Sequence, residues 1–186
     1  ALPIWIIRRV KRKEQIPKML SQLQEDLNMD VPPKRIEAFD ISHLGGTDTV
    51  ASMVVFKDGR PYKSGYRKYN ISVDQIDDFE SMREVVFRRY KRQLDEGNPL
   101  PDLILIDGGK GQLSSAKLSL GKLKLDLPVV ALAKRLEELF IPGEAESLRI
   151  AKSSPALNLL KQLRDEAHRF AITFQRSKRT KRMLSK

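Results

Sequence analysis

The sequence DLILIDGGKGQL, residues 102–113, gives the clearest indication of the fold of this chain. Four consecutive apolar residues, 103–106, end at the carboxylate Asp107, and a run of glycines follows. A short apolar run bounded by turn residues is typical of a strand buried on both faces, as parallel strands are. The glycines then lead into a helix over about residues 112–123. The stretch therefore predicts a buried parallel strand that leads directly into a helix.

Three strands with antiparallel connections are expected before this stretch. They are predicted over residues 35–42, 49–56 and 61–70, where β-branched and other apolar residues concentrate. Gly45-Gly46 indicates the first turn. Asp58-Gly59 indicates the second, because Asp-Gly between two strands is a strong hairpin signal.

Helices and strands alternate elsewhere. Helical spacing of apolar residues predicts a helix capped by Asp77 or Asp78, and Ser154-Pro155 predicts the start of a final helix that ends near Arg176. Three more elements are expected: a helix within residues 11–29, a strand over 127–133, and a hairpin over 136–150 centred on Pro142-Gly143.

The predicted order is three antiparallel strands, helix, strand, helix, strand and helix. Such elements pack as a mixed sheet with helices on both faces, and this order is that of the ribonuclease-H-like fold in the α/β class. We assign residues 34–176 to this domain and residues 1–33 to a lead-in helix and linker. Residues 177–186 are expected to be a basic tail leading to a further C-terminal module that the sequence does not include.

Composition narrows the chemistry. There is no cysteine among the 186 residues, so disulfides and thiolate metal sites are excluded. Oxygen and imidazole ligands favour hard cations, Mg²⁺ or Mn²⁺. No apolar stretch approaches the roughly 20 residues of a membrane helix, so we expect no membrane partner. The absence of cysteine fits a cytoplasmic location, which is our expectation. The net charge of +11 indicates either solubility or attraction to a polyanion.

Two carboxylates are candidates for metal binding. Asp40 lies inside the first strand and Asp107 ends the fourth, and a buried carboxylate costs free energy unless it is paired or metal-bound. In the predicted topology these strands are neighbours, so both side chains converge and can hold a divalent cation beside a phosphodiester. For Asp107 alone, a turn cap is an equally good interpretation. His43, three residues after Asp40, is expected on the opposite face in a structural role.

A third ligand is expected on the last helix. His168 is the candidate, because the helical periodicity places it on the side that faces the sheet. Asp165 and Glu166 are rival ligands on the same helix. Glu80 and Glu84 on the first main helix are further candidates, although solvent-facing charge is the more common role for such residues.

Several cations are expected to contact DNA phosphates without reading sequence. Lys110 lies in a glycine run that does not match the GxxxxGK[ST] phosphate-loop pattern. These glycines either admit the DNA backbone beside Asp107 or form a plain strand-to-helix turn. A second basic cluster is Arg88, Arg89, Lys91 and Arg92. The other predicted DNA contacts are Lys134, Arg164, Arg169, Arg176, Lys178 and Arg179.

Five motifs occur in an order that resembles one known family. They are FDISH (39–43), VASMVVF (50–56), LILIDGGKGQL (103–113), VVALAK (129–134) and the pair SPAL and LRDEAHRFA (154–157 and 163–171). Together they resemble the C-terminal endonuclease domain of UvrC over about residues 34–182. Endonuclease V is similar in fewer of these motifs.

The resemblance implies a function in nucleotide excision repair. In the UvrC family this domain makes the incision on the 5′ side of a lesion in double-stranded DNA, working with UvrB that UvrA has loaded. It uses an Asp-Asp-His set with a divalent metal, and those positions fall on Asp40, Asp107 and His168. The family's 3′ nuclease, partner-binding segment and helix-hairpin-helix module are not in this sequence. Two alternatives stay open: a nuclease of the endonuclease V type acting on deaminated DNA, and a catalytically silent DNA-binding or assembly module.

Overall fold

The computed structural model describes residues 1, 3–4, 16–44, 48–72, 77–134 and 138–185, without the side chains of Leu44, Gln175 and Lys178. Over these residues the chain forms four helices and eight strands. In chain order they are α1 (Lys18–Asp26), β1 (Arg35–Leu44), β2 (Asp48–Lys57), β3 (Arg60–Pro61), a 3₁₀ turn (Lys63–Gly65), β4 (Arg67–Asn70), α2 (Asp78–Glu96), β5 (Leu103–Asp107), α3 (Lys110–Lys122), β6 (Val129–Leu132), β7 (Glu138–Phe140), β8 (Leu148–Arg149) and α4 (Pro155–Leu184).

All eight strands belong to one mixed sheet. Its order is β3-β2-β1-β5-β6-β7-β8, and β4 also pairs with β2. The central strands β1, β5 and β6 are parallel, whereas the outer pairs are antiparallel. The predicted first and fourth strands, now β1 and β5, are therefore direct neighbours. No helix in the described ranges is both long and apolar enough to cross a membrane.

Helices cover both faces of the sheet, as predicted. Side chains alternate between faces along a strand, so Ile36 and Ala38 of β1 pack with α1 and α4, whereas Phe39 packs with α2 and α3. Along β5, Leu103 and Leu105 face α4, whereas Ile104 and Ile106 face α2 and α3. The apolar run of β5 is thus buried on both sides, which explains its lack of polar alternation.

The third strand of the prediction is wrong in one respect, because it is interrupted. The Asp58-Gly59 hairpin is present, with φ values of 52° and 80° that suit a type I′ turn. After β3, however, the 3₁₀ turn lifts the chain away from β2 before β4 resumes the pairing at Met53↔Arg67. Gly65 permits this turn, because a Cβ there would approach Val55 Cγ2 to 3.0 Å.

The two ends of the domain differ from the sequence-based expectation. Helix α1 is part of the core, since Leu20 and Leu23 are fully buried among residues of β1, β2 and α4. Helix α4 continues past Arg176 to Leu184, because residues 177–184 contain neither glycine nor proline to end it. The boundaries drawn at residues 33 and 176 remain predictions.

Pairing of β7 with β8 agrees with the predicted hairpin over its described residues. The predicted turn at Gly45-Gly46 lies outside the described residues.

A buried ion pair joins β1 to α2 on the face away from α4. Glu37 is fully buried and accepts hydrogen bonds from Arg89 Nε at 3.2 Å, Arg89 Nη2 at 3.1 Å and the Tyr90 hydroxyl at 2.9 Å. Arg35 Nε donates to the same carboxylate at 2.9 Å. These donors together compensate the negative charge of the Glu37 carboxylate. That compensation allows an ionised group to be buried in the core.

This pair removes Arg89 from the predicted phosphate-contacting cluster. The other three cations of that cluster are also paired: Arg88 with Glu84, Lys91 with Asp95 and Arg92 with Glu96, each one helical turn apart. The cluster is therefore a series of intrahelical ion pairs, and its apparent positive charge is largely neutralised.

Replacing Arg89 tests the buried pair. Arg89→Met leaves the Glu37 carboxylate buried with fewer donors, so we expect the free energy of unfolding to fall by about 3 kcal/mol, measured by urea denaturation. Arg92→Met, which breaks the exposed pair with Glu96 on the same helix, should cost less than about 1 kcal/mol. Equal losses in the two variants would contradict the structural importance of the Glu37 pair.

Candidate metal centre

Asp40 and Asp107 meet at one point of the sheet. Parallel pairing of β1 with β5 runs to Phe39↔Ile106, and each aspartate is the next residue of its strand. Side chains alternate between the two faces of the sheet, so residues two apart on a strand point to the same face. Asp40 therefore follows Ala38 on the face that α4 covers, and Asp107 follows Leu105. The side chains of both aspartates are only 4% exposed.

His168 completes the group from α4. Its Nδ1 lies 3.3 Å from Asp40 Oδ1, and its Nε2 lies 3.6 Å from Asp107 Oδ2. One ligand atom from each of the three residues falls within 4.8 Å of the others, and no second such group occurs among the described residues. The imidazole is 53% exposed, whereas the two carboxylates are buried. The cluster therefore opens to solvent on the side of the helix.

Burial makes the Asp40 carboxylate costly to ionise. Desolvation is the main cause that raises the pKa of Asp40 from 3.8 to about 6, and its hydrogen bond with Asp107 adds to the rise. The charge of His168 acts in the opposite direction, as does Ser42, whose Oγ donates to Asp40 Oδ2 at 2.9 Å. The two carboxylates thus need a positive partner to be ionised together.

One oxygen of the cluster has no hydrogen-bond partner among the residues that the structure describes. Asp107 Oδ1 is buried and accepts no hydrogen bond within the described part of the chain. Buried polar atoms are nearly always satisfied, so an unsatisfied carboxylate oxygen in a cleft calls for a partner of its own. Two carboxylates and one imidazole are oxygen and nitrogen donors that suit Mg²⁺ or Mn²⁺. The residues present therefore fit a hard divalent cation.

The rival acids on α4 are engaged elsewhere. Glu166 Oε1 accepts from the Tyr66 hydroxyl at 3.0 Å, and both oxygens accept from Arg169 at 2.6 and 2.8 Å. The hydrogen bond from Arg169 is the main cause that lowers the pKa of Glu166. Asp165 is exposed and lies 3.5 Å from Arg164 Nε. Neither acid joins the cluster that His168 forms.

The two acids on α2 are also distant from the cluster. Glu80 pairs with Arg83. Glu84 accepts from the Ser72 backbone N–H at 3.2 Å and pairs with Arg88 at 3.0 Å. Both therefore stabilise α2 and its neighbouring loop, on the face of the sheet that α4 does not cover.

The cations predicted to contact phosphate lie in different surroundings. Lys110 donates to the Ala145 carbonyl, and Arg164 and Arg169 pair with the acids next to them on α4. Lys134 is exposed just after β6. On the extension of α4, Arg176 and Arg179 are exposed, while the Lys178 side chain is outside the described residues. Their contacts with DNA remain predictions.

The glycine run after β5 has a packing role. The Gly109 N–H donates to Gln112 Oε1 at 3.0 Å, which closes the turn that begins α3. A Cβ on Gly111 would lie 2.2 Å from the Phe79 ring, so this glycine lets α3 and α2 approach closely. The strand-to-helix turn is therefore present, and the approach of DNA stays a prediction.

Sequence reasoning missed the hydroxyl groups around Asp40. Ser42 donates to it, and Ser52 is its paired residue on β2. The available signal was a single polar residue inside the apolar motif VASMVVF. His43 faces away from Asp40, as predicted, and contacts Asp78 Oδ1 at 2.7 Å through Nε2.

The raised pKa of Asp40 predicts a gain in stability when its charge is removed. The folded state keeps this proton up to about pH 6, whereas the unfolded chain loses it near 3.8. Stability therefore falls as the pH rises through this interval. In EDTA, Asp40→Asn should be more stable than the parent by about 2–3 kcal/mol at pH 8, with the difference vanishing near pH 4.

Urea denaturation at both pH values measures this difference. Asp126→Asn, which changes an exposed aspartate, should match the parent within about 0.5 kcal/mol throughout. A parent protein more stable than Asp40→Asn at pH 8 would show that the carboxylate stabilises the metal-free fold.

Comparison with known proteins identifies the family. Residues 24–172 match the family described as the UvrC RNAse H endonuclease domain. Proteins described as UvrABC system protein C are similar: that of Salinibacter ruber is 50% identical over 97% of this chain and 29% of its own length. The relative from Methanospirillum hungatei is 55% identical over 87% of this chain and 31% of its own. The chain thus spans about 30% of these relatives.

Similar solved structures include two endonucleases V. The human enzyme has a TM-score of 0.41 at 16% identity, covering 78% of this chain and 64% of its own. The enzyme from Bacillus subtilis has a TM-score of 0.43 at 13% identity, covering 84% and 91%. The family assignment depends on the sequence match, which extends over most of the sheet and includes Asp40, Asp107 and His168. The chain belongs to the UvrC RNase H endonuclease domain family.

Proposed function

We propose that this chain is a metal-dependent DNA endonuclease domain that makes the 5′ incision beside a lesion in nucleotide excision repair. The single observation that carries the proposal is the convergence of Asp40, Asp107 and His168 at one solvent-open point. This cluster occurs in a chain of a nuclease family. An acid pair with an open face is the arrangement that phosphodiester hydrolysis by a divalent cation requires.

The proposal gives the two aspartates one role and His168 another. Asp40 and Asp107 would hold Mg²⁺ or Mn²⁺, with the unpartnered Asp107 Oδ1 as one ligand atom. When bound, such an ion supplies Lewis-acid polarisation of a phosphoryl oxygen and activation of water. His168 serves as the third ligand or as a proton carrier, because its exposed ring can meet both the carboxylates and the solvent.

The hydrolysis needs two proton movements that the chain must support. Water adds to phosphorus and loses a proton, while the bond from phosphorus to the leaving sugar oxygen breaks and that oxygen gains a proton. His168 is the group of the cluster that is open to solvent and can take up and release a proton. Asp40 and Asp107 are buried, so their proposed role is to bind the cation and fix its position.

A cation on β4 extends the centre toward a DNA strand. In the strand register, Lys68 of β4 lies opposite Ser52 of β2, and Ser52 lies opposite Asp40 of β1. The three residues therefore form one row across the sheet. The Lys68 ammonium stands 4.8 and 4.9 Å from the ring centroids of Phe170 and Phe174 and pairs with no carboxylate in the described residues. A cation in this position can bind a phosphate next to the one being cut.

The partners of the proposal follow from the family. The relatives are described as UvrABC system protein C, and we extend to this chain the action on damaged double-stranded DNA. UvrB, loaded by UvrA, would present the lesion. The cytoplasmic location expected from the sequence stays a prediction.

Removing one carboxylate tests the nuclease role. We would place this domain in an intact UvrC chain, add UvrA and UvrB, and use an end-labelled duplex with one bulky lesion. Asp107→Asn should lower the 5′ incision rate at least 100-fold while leaving the 3′ incision unchanged, because the ion loses a charged ligand. Gel electrophoresis separates the two products.

Asp165→Asn is the matched control for this experiment. It alters an exposed acid on the helix of His168 and should keep both incisions. Equal 5′ incision by the parent and Asp107→Asn would favour the silent binding module. Cleavage of an inosine duplex by the parent without partners would favour the endonuclease V type.

Replacing Lys68 tests the strand-binding row. In EDTA, Lys68→Met should weaken binding to a short duplex about 3–10-fold at low salt. It should also make the slope of log K against log salt shallower by about 0.9, as loss of one phosphate contact predicts. Fluorescence anisotropy of labelled DNA measures both quantities.

Lys57→Met provides the control for Lys68. Lys57 also stands over an aromatic ring, 3.9 Å from the centroid of Tyr62, but five residues along β2 from the row of Ser52. At about 3.3 Å per residue this is roughly 17 Å away. Equal weakening by both variants would indicate general charge attraction instead of a defined contact.

A further inference from the structure

Ser52 carries a buried hydroxyl that has no hydrogen-bond partner in the described part of the chain. It is 0% exposed, and its Oγ makes no hydrogen bond with any described residue. Burying a hydroxyl without a hydrogen bond costs free energy, and such atoms are rare in folded proteins. The neighbouring positions of β2 are filled by valine, alanine and methionine. Packing alone therefore gives no reason for a serine here.

The position of Ser52 relates it to the candidate metal centre. Antiparallel pairing of β1 with β2 places Ser52 directly opposite Asp40. The row of Val54 and Phe56 on β2 packs in the core beneath α4, so the period of two places Ser52 on that same face. Directly opposed residues have Cβ atoms about 4.5–5.5 Å apart. The side chains of Ser52 and Asp40 are thus neighbours on the face that α4 covers.

The Asp40 carboxylate has one hydroxyl donor already. Ser42 Oγ donates to Oδ2 at 2.9 Å, while Oδ1 faces His168 Nδ1 at 3.3 Å. Two hydroxyls therefore flank Asp40, of which one is bonded and the other is not. A carboxylate that ligates a metal is normally held by hydrogen bonds from its surroundings, which fix its plane and direct a lone pair at the ion.

We propose that Ser52 is a positioning residue for the metal centre. Its hydroxyl donates to the Asp40 carboxylate when that carboxylate acts as a ligand, and together with Ser42 it holds the plane of the group. The inference rests on the proposed function, since it requires that a hard divalent cation is bound here. It assigns to Ser52 a role that the metal-free fold does not use.

This role predicts effects of opposite sign on folding and on metal binding. Ser52→Ala removes an unsatisfied buried hydroxyl, so the melting temperature in EDTA should be unchanged or higher. The same variant should bind Mn²⁺ about 10–100-fold more weakly, as is typical when a supporting hydrogen bond of a metal ligand is lost. Thermal unfolding and isothermal titration with Mn²⁺, performed on this chain, measure the two effects.

Ser119→Ala is the matched control. Ser119 is also buried, at 3% exposure, but its hydroxyl donates to the Arg83 carbonyl at 2.7 Å on the other face of the sheet. We expect this variant to melt several degrees lower and to bind Mn²⁺ like the parent. The pair of variants therefore separates a structural hydroxyl from a positioning one.

Three results would overturn the inference, and they differ in what else they affect. If the parent binds Mn²⁺ and Ser52→Ala binds it within twofold, Ser52 has no positioning role although the metal site stands. A melting temperature in EDTA that falls as far as that of Ser119→Ala would assign the hydroxyl to folding. A parent that binds no Mn²⁺ would overturn both this inference and the proposed metal function.

Discussion

The close approach of two buried carboxylates is the main physical demand that this fold has to meet. Asp40 and Asp107 end rows of apolar side chains on adjacent parallel strands, so the sheet forces them together beneath α4. Two like charges in a low-dielectric site repel each other, and burial raises the pKa of Asp40 to about 6. The arrangement is unfavourable for the metal-free fold, and the proposed cation would offset this cost, as in other active sites where stability is lower for the sake of function.

The same strand shows what the fold does with a carboxylate that it needs only for stability. Glu37 lies three residues before Asp40 and faces the opposite side, where Arg89, Arg35 and Tyr90 donate to it. Asp40 receives one hydroxyl and a histidine instead. Within three residues, β1 therefore carries one acid whose charge is matched by arginines and one that has no arginine or lysine partner among the described residues.

The cations behind the net charge of +11 differ in how far neighbouring acids neutralise them. On α2 the cations are balanced by acids one turn away, and on α4 Arg164 and Arg169 have neighbouring acids. Lys68 is different, since it lies in the row of Asp40 and contacts aromatic rings. Which cations can meet a polyanion thus depends on local pairing, and a count of charges along the chain does not reveal it.

Local sequence patterns were enough to predict the order of elements, the parallel strand that ends at Asp107, and the candidate set of Asp40, Asp107 and His168. These follow from periodicity, turn residues and residue type, which are local properties. Four features become visible once the chain is folded: Arg89 is buried against Glu37, the third strand breaks at residues 63–65, α4 runs on to Leu184, and Ser52 has no hydrogen-bond partner among the described residues. Each of these depends on which side chains from distant parts of the chain are brought into contact, and on which donors are left over when packing is complete.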